Sequence, residues 1–173
     1  MAQKILVAQD GSDNGQKALA LAAQISAKMG WDLTIVHVLM HGSAADEMAR
    51  MAEVEHVIAH TAKRVIPDSL NMPPTMAEFL DHPEADRARA VAEIGEYVLR
   101  IAQRAATEAG AKNVKTLLRD GDYGDGILDA ADDIDADMIV IGRRGLGRLR
   151  GLVLGSVSNK VVQHAECSVL TVR

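Results

Sequence analysis

The chain has 173 residues, 48% apolar and 25% charged, which suits one domain with a sizeable core. Its net charge of −5 excludes DNA binding by bulk electrostatics, because no whole face can release counterions. Aromatic residues are confined to Trp31, Phe79, Tyr97 and Tyr123, too few to stack successive bases of a single strand, so no nucleic-acid partner is expected.

Lys4 to Gln9 is a short apolar run stopped by Asp10-Gly11-Ser12-Asp13. It predicts a buried strand ending in a turn and is too short for a signal peptide or membrane span, so a cytoplasmic protein without a membrane partner is expected. Ala18, Leu21, Ala22 and Ile25 recur at helical spacing, with Gly30 as the stop. Leu33 to Val38 is a second buried strand. Strand, helix and strand in forty residues make a βαβ unit with parallel pairing. Residues 41–82 form an extended insertion: a helix carrying Met48, Met51, Ile58 and Val65, then a loop broken by Pro67 and Pro73-Pro74. Pro83 to about Ala109 is a long amphipathic helix, followed by a strand from Val114 to Leu118 and a helix from Asp125 to Ile134. Met138 to Ile141 is apolar throughout, as a strand covered on both faces must be. A helix from Ser156 to His164 and a strand from Ser168 to Val172 finish the alternation. The fold class is α/β, with a doubly wound five-stranded parallel sheet. Cys167 is the only cysteine, which rules out an internal disulfide and suits a reducing compartment. It is expected to be a buried structural residue.

The stretch from Ile141 to Ser158 carries the chemistry. It leaves the fourth strand, passes Gly142, Gly145, Gly147, Gly151 and Gly155, and reaches a helix start at Ser156. Glycines admit close approach of backbone N–H groups, and a helix start offers unpaired donors and a favourable dipole, so the stretch suits a phosphate group. Ser156 and Ser158 can add hydroxyl donors. Arg143, Arg144, Arg148 and Arg150 can either clamp phosphates or point to solvent. No Lys precedes Ser156, so this is not a Walker A loop, and Arg150 replaces the third glycine of a dinucleotide fingerprint. A plain flexible loop is the alternative, as a helix cap or turn is for Asp10.

The spacing Gly142-x-x-Gly145, nine residues, then Gly155-Ser156 resembles the ATP-binding signature of the universal stress protein family. Ile5 to Ser12 resembles that family's first strand with its Asp-Gly-Ser turn, and Cys167 to Val172 its last strand. The resemblance covers about 1–40 and 88–173 and implies an adenine-nucleotide alpha-hydrolase-like fold with strand order 3-2-1-4-5. Its switch point lies between strands 1 and 4, where open α/β sheets bind ligands. By resemblance, Ala8, Gln9 and Asp10 would line the adenine and ribose side and Val38 would contact the base. Ile141 and Gly142 would lie under the ribose, Gly145 would pass near the phosphates, and Gly155, Ser156, Val157 and Ser158 would cradle them. ATP, with Mg²⁺, is the implied ligand; in the slow-hydrolase alternative Asp10 would hold the Mg²⁺ or orient water. Where the family often has Ser after the first signature glycine, this chain has Arg143.

The leading functional expectation is a nucleotide-responsive binding protein of the stress response, whose occupancy governs docking to a protein partner. The alternatives are a slow ATP hydrolase and a dimeric module that ignores nucleotide. No catalytic residue is assigned, and no fixed metal site. His56 and His60 stand at i, i+4, but Val57 replaces the Glu of a His-Glu-x-x-His motif and no third ligand is evident. The final strand is expected at a sheet edge, where antiparallel pairing with a second copy would form a homodimer, as the resemblance also implies.

Overall fold

The structure is a computed structural model that describes residues 3–39, 84–145 and 154–173. The expected helix and loop of 41–82, with His56, His60 and the insertion's methionines, lie outside the described residues, as do Arg148 and Arg150.

Lys4–Ala8 forms β1, with Ile5, Leu6 and Val7 wholly buried. The strand ends one residue before Gln9, where the turn begins. Ser12 then caps α1 (Asp13–Met29), its hydroxyl accepting from the Gly15 N–H, and Asp13 complements the helix dipole. Gly30 ends the helix in the left-handed conformation at φ 71°, its N–H donating to Ser26 O. β2 (Asp32–Leu39) leads to α2 (Glu84–Glu108) and β3 (Lys112–Asp120), longer at both ends than its apolar centre indicates. α3 (Tyr123–Asp133) starts two residues earlier than expected, because Asp122 caps it by accepting from the N–H groups of Gly124 and Asp125. β4 (Met138–Gly142), α4 (Ser156–His164) and β5 (Ser168–Val172) complete the order.

All five strands are parallel in the order β3-β2-β1-β4-β5. The period of two along each strand divides the core. Ile5, Val7, Leu33, Ile35 and Val140 pack with Ala18, Ala22 and Ala23 of α1 and Leu99 and Ala102 of α2. Leu6, Ala8, Val36, Val38, Ile139 and Ile141 pack on the other face with Ile127 and Ala130 of α3 and Val161 of α4. Each large side chain so buried contributes about 1.5–3 kcal/mol. The outer strands β3 and β5 hold only exposed and half-buried residues, as edge strands do. Cys167 is half-buried and packs against the second cluster.

One polar side chain fixes the far end of the sheet. Ser26 is fully buried, donates to Trp31 O at 2.7 Å and accepts from the Lys112 N–H at 2.8 Å, joining α1 to the entries of β2 and β3. Ser26→Ala leaves both backbone groups unpaired and is expected to cost about 1–3 kcal/mol of stability. Urea denaturation monitored by circular dichroism checks this; an unchanged midpoint would show that other partners replace the hydroxyl.

Candidate functional site

β1 and β4 are neighbours, yet β1 leads into α1 on one face and β4 leads toward α4 on the other. Their carboxyl ends therefore border a crevice. The β1 side is a tightly bonded turn. Gln9 is buried; its N–H donates to Val36 O at 2.9 Å and its Oε1 accepts from the Gly11 N–H at 3.1 Å. Asp10 Oδ1 accepts from the Ser12 N–H at 3.0 Å and the Ser12 hydroxyl at 2.6 Å. One oxygen of Asp10 is thus committed to the turn. The other faces the glycine loop: a Cβ at Gly145 would lie 2.5 Å from Asp10 Oδ2.

On the β4 side, Gly142 serves packing. A Cβ there would lie 2.9 Å from the Asn14 carbonyl carbon and 3.0 Å from Gly15 N, so only glycine lets α1 approach so closely. Asn14 Nδ2 also donates to Arg144 O at 3.2 Å, tying α1 to the loop. The Arg143 carbonyl accepts from the Gly155 N–H at 2.9 Å and the Ser158 hydroxyl at 2.8 Å. These bonds seat the start of α4 beside the end of β4. Gly155 is the N-cap residue of α4, with no side-chain cap bond, and a Cβ there would make only ordinary contacts of 3.5–3.6 Å.

The sequence-predicted residues separate into three groups. Asp10 and Gly145 meet across the crevice, and Gly142, Gly155 and Ser156 frame it. Ala8, Ile141 and Val38 have their side chains in the core, Val38 opposite Gly126 of α3, so only their backbones are available to a ligand. Val36 directs its carbonyl at β1, and the strand period turns the N–H and C=O of Val38 the same way, beyond the end of β1. Val157 packs partly against the same core. Ser158 differs from expectation: it is buried, and its single hydroxyl hydrogen is directed at the carbonyls of Arg143 and Gly155. It clamps loop to helix instead of offering a donor to phosphate. Ser156 is the exposed hydroxyl of the pair.

Sequence reasoning missed Asn14 and His37. His37 Nδ1 donates to Gln9 O at 2.6 Å, which fixes the tautomer, and its ring packs near Gly95 of α2. Burial pushes its pKa below 6.5, against the opposing pull of the Gln9 hydrogen bond and the Asp10 charge. A histidine at the end of an otherwise apolar strand was the signal available. Among the described residues no cluster of three His, Cys, Asp or Glu could hold a metal, and no helix is long and apolar enough to cross a membrane.

A model described as the universal stress protein family matches residues 1–173. The chain is 31% identical over 173 residues to universal stress protein YxiE of Bacillus subtilis, covering 100% of both chains. It is 32% identical over 176 residues to the universal stress protein in the QAH/OAS sulfhydrylase 3' region of Thermus aquaticus, again covering 100% of both. Among solved structures it resembles a universal stress protein in complex with cAMP, with a TM-score of 0.60 and 24% identity, covering 99% of this chain and 96% of that one. The universal stress protein from Archaeoglobus fulgidus in complex with dAMP gives a TM-score of 0.59 at 19% identity, covering 100% and 98%. At these identities the structures show the shared fold, an adenine-nucleotide alpha-hydrolase-like sheet.

The buried imidazole has a consequence for stability. Because His37 is held below 6.5, its contribution is complete above that pH. It is lost as pH falls from 6.5 toward the lowered folded value, since the unfolded chain takes up the proton first. His37→Asn keeps a donor for Gln9 O without titrating. The parent's melting temperature is expected to fall more than the variant's between about pH 7.5 and about pH 5.5, and parallel curves would contradict the assignment.

Proposed function

Because the chain belongs to the universal stress protein family, we propose that it binds an adenine nucleotide, ATP with Mg²⁺ foremost, in the crevice between β1 and β4. Occupancy governs its docking to a protein partner. The observation that carries this reading is the start of α4, where a glycine N-cap leaves the first N–H groups without a side-chain acceptor. The Arg143 carbonyl holds that helix start beside β4. Uncapped helix N–H groups beside the closely approached Gly142 and Gly145 suit an anion. The solved structures that share the fold include complexes with cAMP and dAMP, which favours an adenine ligand.

In this reading the backbone N–H and C=O of Val38 present a donor and an acceptor to the edge of the base. Ala8, Gln9 and Asp10 flank the base and ribose, and the backbones of Ile141 and Gly142 underlie the sugar. Gly145, Gly155, Ser156 and Val157 surround the phosphates through backbone N–H groups and one hydroxyl, and Ser158 holds that surface together. Asp10 Oδ2, the oxygen left over from the turn, is the oxygen ligand a Mg²⁺ ion requires. These residues bind and orient; the binding event itself is the signal.

Gly155→Val is the direct test, because the fold admits a Cβ at this position while the added bulk covers the helix start. Calorimetry is expected to show ATP affinity reduced at least about tenfold with the melting temperature little changed. Unchanged affinity would remove α4 from the site.

We also infer a homodimer through β5. Among the described residues that strand pairs with β4 alone and keeps Val169, Leu170 and Val172 half-buried, while Val162 of α4 is an exposed apolar side chain on the helix before it. Antiparallel pairing with a second copy would satisfy the open edge. Light scattering is expected to give twice the 18.5 kDa chain mass, and Leu170→Pro, which removes a ladder donor, is expected to shift it toward monomer. A parent protein that stays monomeric at tens of micromolar would refute the pairing.

A further inference from the structure

The β4–β5 ladder ends in a pair of arginines. Gly142 is level with Val172, and the Arg143 N–H donates to Val172 O at 2.6 Å. Arg143 and Arg173 therefore stand side by side where the two strands finish. Arginine stays charged in any ordinary environment, so this is a fixed concentration of positive charge. Among the described residues nothing balances it. Arg143 Nε is buried with no hydrogen-bond acceptor among them. Burial, then Arg173, then Arg144 all lower the Arg143 pKa, with no described carboxylate acting against them. From Ile141 through Ser158 the sequence holds Arg143, Arg144, Arg148 and Arg150 and not one Asp or Glu. In a chain of net charge −5, two adjacent arginines with no Asp or Glu among the described groups that act on Arg143 are an arrangement that an anion would stabilise.

Position tells which anion. Strands are spaced about 4.8 Å apart, and β5 is the strand beyond β4 as one moves away from the β1–β4 crevice. In the nucleotide-binding reading, Gly142 underlies the sugar, and Gly145 with the start of α4 receives the phosphates nearest it. The Arg143 carbonyl is itself the acceptor for Gly155 N and Ser158 Oγ, so the arginine pair begins where that backbone surface ends. In that reading a nucleoside monophosphate would end before reaching it, whereas a longer phosphate chain would extend toward β5.

We propose that Arg143 and Arg173 receive the outer phosphates of a nucleoside polyphosphate, so that the site selects its ligand by the number of phosphates. This rests on the nucleotide-binding reading above. It adds a reader of chain length, built from the residue that follows β5 and its neighbour that follows β4. The base and sugar contacts are the same for every member of the series; the arginine pair separates triphosphate from monophosphate.

The experiment is calorimetric titration of the parent, Arg143→Gln and Arg173→Gln with AMP, ADP and ATP, at low and at raised salt, with melting curves confirming the fold. Arg173 is exposed, so its variant serves even if Arg143→Gln disturbs the loop. Each substitution is expected to weaken ATP about five- to tenfold, ADP less and AMP under about twofold, the scale of one charge-assisted hydrogen bond. Raised salt is expected to narrow the differences. A parent that binds all three nucleotides, with variants that lose affinity equally for each or not at all, overturns the chain-length reader and leaves nucleotide binding standing. A parent that binds none of them overturns both.

Discussion

At Gly142 the backbone of β4 lies against the backbone of α1's first turn, close enough that a single methyl group would fall 2.9 Å from the carbonyl carbon of Asn14. The rest of the crevice is positioned from this contact. It sets how far the β1–α1 turn stands from the loop after β4, and hence that Asp10 Oδ2 faces Gly145. α1 can come so near because its buried face is built from small residues, Gly15, Ala18, Ala22 and Ala23. Gly15 repeats the constraint from the other side, since a Cβ there would lie 2.5 Å from Gln9 Oε1. Asn14 then fastens the same helix turn to Arg144 O. Glycine at these points has a packing role before it has any role toward a ligand.

The second constraint is electrostatic. The chain carries more acid than base overall, yet the loop after β4 contains arginines and no acid. The acidic residues sit elsewhere, in part at the end of α3 and in the turn before β4, where Asp132, Asp133, Asp135 and Asp137 occur. Some are already paired: Lys160 of α4 bridges Asp122 and Asp125 at the start of α3. α4 is thus held on its flank by carboxylates while its N-terminus faces cationic sequence. Local charge, not net charge, decides which ligand the crevice favours.

Much of this was legible in the residues. Apolar runs too short for helices, alternating with 3.6-period segments, gave every described strand and helix, and α4 and β5 matched residue for residue. The glycine spacing pointed to the loop that does border the crevice. What escaped was geometry that only tertiary contact creates. Ser158 looks like a phosphate donor in sequence, but the turn of helix that places it also aims its hydroxyl at Arg143 O. Gly142 looks like a ligand glycine, and its close neighbour proved to be α1. Arg173 lies far from the signature in sequence and joins it only through the parallel register of β4 and β5. His37 read as one more strand residue because nothing local reveals that Gln9 O lies beside it.

The Ser26 junction lies at the opposite end of the sheet from the crevice. Through it, and through Asn113 Nδ2 donating to Asp32 Oδ1 at 2.6 Å, the entries of β2 and β3 are fixed to one another and to α1. Those two strands are therefore tied together where they begin, just before their register shifts between Asp32 and Thr34. Residues 40–83 depart from where β2 finishes, so the connection need not hold the strands in step. Closing a flexible connection of twice the length costs only about 0.6 kcal/mol more. A connection at this point of the plan can thus change in length with little penalty to the sheet, and the frame around the β1–β4 crevice is untouched by it.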